Sequence, residues 1–468
     1  MKTLFDILAI AFGLLIGFAI HSHAQVRAIQ DLRYNDDFTY LLSDSVQKKG
    51  TDHLKFMPIG KSGKSNLSLG GEIRQWYEYR ENSNFGDLPP GTITDYNGSL
   101  QHRLMVHADL QINSRIRVFG QLNNTLEFGN PNPSVPEIIV DGLGIHQLFV
   151  DLNVGKKGSE KAQIIRLGRQ EFDFGNGLLI SSREGPNNRQ AFDGISYITK
   201  NKNFDLHTLF ATPVIINPDV FDNSHINEYI WGAYANFRKS KALKLDLYYF
   251  GFHTERRQFN YVPGKQTRHT LGGRLWQRGR RLWVDMDMMY QTGKFNDLTV
   301  NAVNATAEVH YFFPDVFLKP MVGMGASYVS GDYDPNDKQL NTFDPLYPKP
   351  VYGLAMAQGP SNIAHIKPTF GLQPLERLYI NFSWYYLARA SNKDGSYAPS
   401  MVQVRPSSET ESEKYGVGVQ YGLDIFYIIN QHFTLMSFNS YVTPGDYVKE
   451  TGAGKAITFS AVALQYKF

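Results

Sequence analysis

The sequence predicts an all-β fold, a single transmembrane antiparallel β-barrel with long extracellular loops. Three features carry the prediction: strand after strand with a two-residue alternation of apolar and charged positions, an apolar leader, and a last strand ending on an aromatic residue. Alternation over about ten residues marks a wall with lipid on one side and water on the other. Only every second strand residue then faces lipid, so the chain keeps the negative mean hydropathy of a soluble protein, and hydropathy does not separate the two classes.

Residues 1–24 read as a signal peptide. Met1-Lys2-Thr3 precedes a nearly continuous apolar run from Leu4 to Ile20, then Ser22-His23-Ala24. The run is shorter than the roughly 20 residues of a spanning helix. Small residues at Ser22 and Ala24 suit a signal peptidase, and cleavage is expected after Ala24. At the other end Val462, Leu464, Tyr466 and Phe468 alternate with Ala461, Ala463, Gln465 and Lys467. A strand finishing on Phe468 resembles the signal read by the outer-membrane assembly machinery. Together with the leader it directs the chain to the bacterial outer membrane.

The 468 residues contain no cysteine, so thiolate chemistry and disulfides are excluded and strand pairing must supply the stability. A net charge of +3, spread through the chain, gives no sign of a nucleic-acid partner. Residues 25–64 are weakly periodic and read as a periplasmic segment folded into or across the barrel mouth. From 65 to 468 no linker or composition shift interrupts what reads as one repetitive domain.

Within that domain Leu67, Leu69, Ile73, Tyr77 and Tyr79 oppose Glu72, Arg74, Glu78 and Arg80. Leu104, Val106, Ala108, Leu110 and Ile112 oppose Arg103, Met105, His107, Asp109 and Gln111, and an Asn113-Ser114 turn leads to Ile116, Val118 and Leu122 against Arg115, Arg117 and Gln121, the pattern of a hairpin. Copies recur at 243–249, at 281–288, where Met286 and Met288 oppose Asp285 and Asp287, and at 377–389. Counting strands gives about 16 to 20, and aromatics such as Trp76, Trp231, Trp276 and Trp384 sit where interfacial girdles belong. A soluble sandwich, propeller or β-helix would alternate too, but the strands are long and no blade- or coil-length repeat appears. Segments rich in Gly, Pro, Asn and Asp at about 81–98, 129–143, 173–190, 254–266, 330–362 and 390–412 read as extracellular loops, or one folding inward.

With the apolar face toward lipid, parity assigns Arg74, Arg103, Arg115, Arg117, Arg166, Arg274, Arg377 and Arg389 to the lumen, with Glu72, His107, Asp109, Asp285 and Asp287. An arginine on the lipid face costs about 2–4 kcal/mol at mid-bilayer, which favours the inward side. The surplus of arginine suggests a positive constriction for carboxylate or phosphate groups. The competing expectation is that arginines and acids pair across the wall and brace it.

Two segments add a resemblance. Arg166-Leu167-Gly168-Arg169-Gln170-Glu171-Phe172-Asp173-Phe174-Gly175-Asn176-Gly177 is followed by Arg183, Asn187-Asn188-Arg189 and Ala191-Phe192-Asp193-Gly194. Ser330-Gly331-Asp332-Tyr333-Asp334-Pro335-Asn336-Asp337-Lys338 leads to Phe343-Asp344-Pro345-Leu346-Tyr347-Pro348. Both are similar to signatures of the alginate-export family of outer-membrane proteins, over about residues 65–468. The resemblance implies an 18-stranded monomeric barrel whose arginine-rich lumen conducts an acidic polysaccharide outward, occluded by a loop and a periplasmic turn. It also adds Arg169, Arg183, Arg189 and Asp193, beside Arg166, to the pathway residues. Gly175-Asn176-Gly177 departs from the acidic turn expected of the family, so the substrate stays open, with an anion-preferring uptake porin for small solutes as the second reading.

Other motifs point nowhere. Asp332, Asp334, Asp337 and Asp344 lack EF-hand spacing and read as turn formers rather than calcium ligands. The 13 histidines include no HExxH pair or close cluster, so no metal or other cofactor is expected. A catalytic reading of His107 with Asp109 needs a third group that sequence cannot position, and the chain reads as a non-enzyme. Gly60-Lys61-Ser62-Gly63-Lys64-Ser65 misses phosphate-loop spacing and reads as a polar linker.

Overall fold

A computed structural model describes residues 29–468 apart from 44, 61–64, 89–90, 133–135, 157–158, 160, 219–220, 239–242, 356–357 and 408–411. The expected signal peptide, residues 1–24, lies outside the described residues, as does most of the Gly60–Ser65 linker.

Eighteen strands form the wall. They are β1 (Ser65–Glu81), β2 (Tyr96–Gln111), β3 (Ile116–Phe128), β4 (Asp141–Asn153), β5 (Ala162–Gln170), β6 (Phe192–Lys200), β7 (Phe204–Ile215), β8 (Glu228–Phe237), β9 (Lys244–Phe259), β10 (Val262–Arg278), β11 (Leu282–Phe295), β12 (Leu298–Phe312), β13 (Met321–Val329), β14 (Ile363–Leu375), β15 (Leu378–Ala388), β16 (Gly416–Ile428), β17 (Phe433–Pro444) and β18 (Ile457–Lys467). Each pairs antiparallel with its neighbours in sequence, and β1 pairs with β18 from Glu72↔Lys467 to Glu81↔Thr458, which closes the barrel. Closure removes the sheet edges that lipid cannot hydrogen-bond. Phe468 finishes the seam: its N–H donates to Gly71 O and its carbonyl accepts Gly71 N–H, both at 3.0 Å.

Parity sets the two faces as the sequence predicts, except that Trp76 and Trp276, expected in the aromatic girdles, share the inward parity of Arg74 and Arg274, and Trp276 Nε1 donates to the buried Asp246 at 3.0 Å. On β1, Ile73 and Tyr77 are 37% and 43% exposed on the outside, whereas Glu72, Arg74 and Trp76 are buried inside. On β11, Met286 and Met288 face out and Asp285, Met289 and Gln291 face in. The Asn113-Ser114 hairpin is present as expected. Among the described residues no helix is long and apolar enough to cross a membrane; the crossing is made by strands.

One expected loop is not a loop. At 254–266, β9 runs to Phe259 and β10 starts at Val262, joined by Asn260 and Tyr261 with φ of 45° and 63°. Glu255-Arg256-Arg257-Gln258 reads as loop by composition because this hairpin carries polar residues, with a bulge between Thr254 and Arg257.

The lumen is filled. The loop after β5 (residues 171–191) and the loop after β13 (330–362) fold inward and join. Ile180 bridges Tyr347 in parallel, Tyr347 N–H donates to Leu179 O, Ser181 N–H to Tyr347 O and Lys349 N–H to Gly177 O, all at 2.9 Å. Phe172, Leu178, Leu179, Ile180, Phe343, Leu346, Tyr347 and Tyr352 are all buried there with strand residues such as Phe192, Phe250 and Phe252. Gly175 and Gly177 turn the first loop at φ of 63° and 73°, and a Cβ on Gly175 would meet the Tyr234 hydroxyl at 2.8 Å.

At the short-turn end, the periplasmic side in such barrels, the amino-terminal segment lies across the mouth. Its described residues form three short 3-10 helices, Arg33–Asn35, Thr39–Leu42 and Gly50–Leu54, and a strand Met57–Ile59 that pairs with the start of β1. Arg33 donates to Gly71 O and Phe468 O at 2.7 Å, and the Lys55 ammonium to Leu69 O at 2.6 Å. Burial, then the Arg33 charge, pushes the Lys55 ammonium down to about 8.

Candidate functional site

The inward strand positions carry ion pairs in rows that follow the register. Arg117, Asp151 and Arg166 are direct cross-strand partners on β3, β4 and β5. Arg166 Nε and Nη2 hold the two Asp151 oxygens at 2.7 and 2.9 Å, and Arg117 reaches Asp109 at 2.8 Å and Asp151 at 3.4 Å. The Arg166 guanidinium is stacked 4.3 Å from the Tyr34 ring and 3.8 Å from the Phe149 ring. Bidentate pairs of this kind, packed under aromatic rings, fix a guanidinium rigidly.

Across the barrel, Arg274 on β10 lies between Asp246 of β9 and Asp285 of β11. Its Nη1 is 3.2 Å from Asp246, and Nε and Nη2 are 2.7 and 2.5 Å from Asp285. Tyr234 donates to Asp246 at 2.5 Å and Tyr248 donates to Asp287. Toward the long-loop end Arg268 donates to Gln291 at 2.7 Å and to Thr342 O at 2.9 Å. Arg257 pairs with Asp344 of the second inward loop, and holds that carboxyl below the usual range against the opposing effect of burial.

A third group gathers where β1 and β2 meet the first inward loop. Arg103 binds Glu72 through Nε at 2.8 Å and Glu184 through Nη2 at 2.5 Å. Glu184 also accepts from Arg189, whose Nε lies 2.5 Å from Glu171. Arg74, the register partner of Arg103, donates to the carbonyls of Glu184 and Pro186 at 3.0 and 2.9 Å. Beside this group lies a cavity of about 170 Å³, lined among others by Asn123, Asp141, His146, Arg183, Asn188 and Glu228.

The structure sorts the expected pathway residues. Arg74, Arg103, Arg117, Arg166 and Arg274 are on inward strand positions, and Arg183 and Arg189 are on the first inward loop. Five others are elsewhere. Arg115 is exposed in the turn between β2 and β3, where Nη1 donates to Asn153 O at 3.4 Å, and Arg377 is in the turn between β14 and β15, donating to Ile429 O at 3.1 Å. Alternation was extended one turn too far for both. Arg169 and Asp193 are register partners that alternate with Leu167 and Ile195, 42% and 46% exposed, so parity puts this pair, at 2.8 Å, on the outer face. Arg389 stands one residue beyond β15, 3.7 Å from the Tyr447 ring, and its three nitrogens all donate to loop carbonyls, Asn392, Asp394, Ser412 and Lys414.

The expected positive surplus is thus offset within the lumen. Asp151 and Asp246 had the right parity to be found. Glu171, Glu184 and Asp344 come from loops, where parity has no meaning, and Tyr34 from a segment without periodicity. Two of the four loop carboxylates are simple turn formers, Asp334 accepting Asn336 N–H at 3.0 Å and Asp337 accepting Gln339 N–H at 2.6 Å, whereas Asp344 accepts Leu346 N–H at 3.0 Å and also pairs with Arg257.

Several solved structures share the fold. The Pseudomonas aeruginosa OpdO structure aligns with a TM-score of 0.57 at 11% identity, covering 86% of this chain and 97% of that one. Acinetobacter baumannii OccAB2 aligns with a TM-score of 0.57 at 11% identity over 86% and 98% of the two chains. Acinetobacter baumannii OccAB1 gives 0.54 at 12% identity over 90% and 99%. A comparison with curated protein sequences found no match. The alginate export family matches residues 65–461, nearly the whole barrel. The chain is therefore a bacterial outer-membrane channel protein and belongs to the alginate export family.

Proposed function

We propose that this barrel is a gated conduit through which an anionic oligo- or polysaccharide diffuses passively, exported as a monomeric channel would allow, with residues 1–24 removed as its signal peptide. The carrying observation is the group at β1 and β2: Arg74 and Arg103 on the wall both donate to acceptors of the inward loop, so withdrawing that loop leaves two guanidinium groups open to the lumen. Guanidinium forks match carboxylates. Paired arginines elsewhere on the wall then serve as a rigid frame. Family membership supports the saccharide, and the same reading makes the chain a transporter without catalytic or metal chemistry.

A second reading, an anion-preferring porin for small solutes, draws support from the cavity of about 170 Å³, which suits a small molecule rather than a polymer.

The test is conductance and ion selectivity of the refolded protein in a planar bilayer, with uronate oligomers added, for wild type, Arg74→Ala and Arg103→Ala. Anion-selective current blocked by the oligomers, and weakened in both variants, supports the conduit. Anion-selective current indifferent to oligomers favours the small-solute porin, and cation selectivity sinks both.

A further inference from the structure

We infer that Arg74, Arg103, Arg189 and Gln465 form a carboxylate-binding subsite, and that Glu184 of the first inward loop is its tethered occupant, displaced by the carboxylate of an acidic sugar. The inference rests on the conduit reading and names the group that opens it.

The charges of the site do not balance without Glu184. Glu72 on β1 and Glu171 at the root of the loop are both 2% exposed and pair with Arg103 and Arg189. Among the described residues Arg74 has no carboxylate of its own: it donates to carbonyls of residues 184 and 186 and to Asn187 Oδ1 at 3.4 Å, and its Nε is buried without a partner there. Arg74 and Arg103 on the wall are 2% and 0% exposed and Arg189, at the far root of the loop, is 5% exposed, so three guanidinium groups, with the Lys467 ammonium 3.8 Å from Glu72, stand in a desolvated cluster beside two resident acids. Glu184 supplies the third. One of its oxygens lies 2.5 Å from Arg103 and 3.4 Å from Gln465 Nε2, and the other accepts from Arg189.

Glu184 differs from the resident acids in two respects. Its side chain is 34% exposed, open to the solvent side, while those of Glu72 and Glu171 are 3% and 2% exposed. It sits in Arg183-Glu184-Gly185-Pro186, where Arg183 has φ of 54° and all four residues are half-buried between the buried Ser182 and Asn187. A buried cation left unpaired is costly, so a neutral solute cannot take Glu184's place, whereas a uronate carboxylate replaces it group for group. Charge recognition and loop release become one event. A ligand opens a gate only by binding the open state more tightly, and this exchange supplies that difference.

The experiment is calorimetric titration of the full-length refolded barrel with a galacturonate trisaccharide, and with maltotriose as a neutral control, at fixed salt. Wild type, Glu184→Gln and Glu184→Gln/Arg103→Ala are compared after heat-modifiable gel mobility has verified folding. Gln keeps the shape of Glu184 without its charge, so E184Q is expected to bind the acidic trisaccharide at least tenfold more tightly than wild type, with maltotriose unchanged and the gain abolished by R103A. If E184Q and wild type bind the acidic trisaccharide within twofold of each other, and more tightly than maltotriose, the tethered occupant is overturned and the conduit survives. If neither protein distinguishes the two sugars, both are overturned.

Discussion

The Tyr34 phenol donates a 3.0 Å hydrogen bond to the backbone carbonyl of Glu171, joining the amino-terminal segment to the root of the first inward loop inside the barrel. The ring stands edge-on to Phe149 at 5.6 Å and to Phe119 at 6.2 Å, and the Tyr34 carbonyl accepts from Arg117 at 2.8 Å. A second tie runs from Arg189 of the loop to Asp31 O at 3.2 Å. The closures of the two mouths therefore share partners, and freeing one weakens the other.

Tyr34→Phe is expected to remove only the hydrogen bond, worth about 1 kcal/mol, and to raise the open probability of single channels slightly. Tyr34→Ala also removes the ring from between Phe119, Phe149 and Arg166, a loss of roughly 3–5 kcal/mol of packing for a large aromatic. Its open probability should exceed that of Tyr34→Phe. Identical gating in all three proteins would show that the two closures are independent.

Asp151 is 4% exposed and is shared by Arg166 and Arg117. Asp151→Asn leaves the Arg166 guanidinium buried without its acid, and breaking a buried pair this way costs about 3–5 kcal/mol. Arg117 still holds Asp109. Denaturant unfolding in vesicles should show the loss, and Asp109→Asn, with an acid side chain 28% exposed, should cost less. Equal effects would mean that Asp151 is hydrated in the lumen.

What was legible followed from local physics. Alternation on β1, β2, β9, β11 and β15, and the seam at Phe468, is written in the side chains of each strand, because lipid tests every second position separately. Arg74, Arg103, Arg117, Arg166 and Arg274 were placed by the same rule. Arg115 and Arg377 were not, since parity is undefined in a turn, and Arg169 and Asp193 came from likeness rather than alternation. An inward-folding loop was expected, but which loops fold inward was not legible, because their contacts, Ile180 with Tyr347 or Glu184 with Arg103, join residues far apart in the chain. The ion pairing of the lumen was legible in Asp246, one residue from the lipid-facing Leu247, but only if acids are counted as carefully as arginines.

Met288, 69% exposed, and Met289, 2% exposed, are neighbours on opposite faces of β11. Met288 lies in register with Gly273 and Ala305 in the middle of the outer surface. Met288→Arg puts a charge against lipid and should destabilise the barrel by ~2–4 kcal/mol, whereas Met288→Leu should be nearly neutral. Urea titration of protein folded into phospholipid vesicles measures both. A neutral arginine would show that this face is covered by something other than lipid.

Asp332 opens the second inward loop and sits against the loop after β15. Burial, and then the neighbouring Asp394 carboxylate, push its carboxyl up to about 7, and burial raises Asp394 as well. Asp394 accepts Asp332 N–H at 2.8 Å, Thr342 Oγ1–H at 2.5 Å and the Tyr397 hydroxyl at 2.6 Å; Asp337 is the other acid facing Asp332. A carboxyl raised on folding favours the packed loops below its unfolded value of 3.8, and that contribution fades as pH rises through 7. Amide exchange over residues 332–346, corrected for the chemical rate, is expected to be several-fold faster at pH 8 than at pH 5.5. Asp332→Asn, which has no proton to lose there, should flatten the dependence while keeping the low-pH protection. An Asn variant that retains the wild-type pH profile would move the titration to Asp394, whose hydrogen bonds from Thr342 and Tyr397 hold the same junction together.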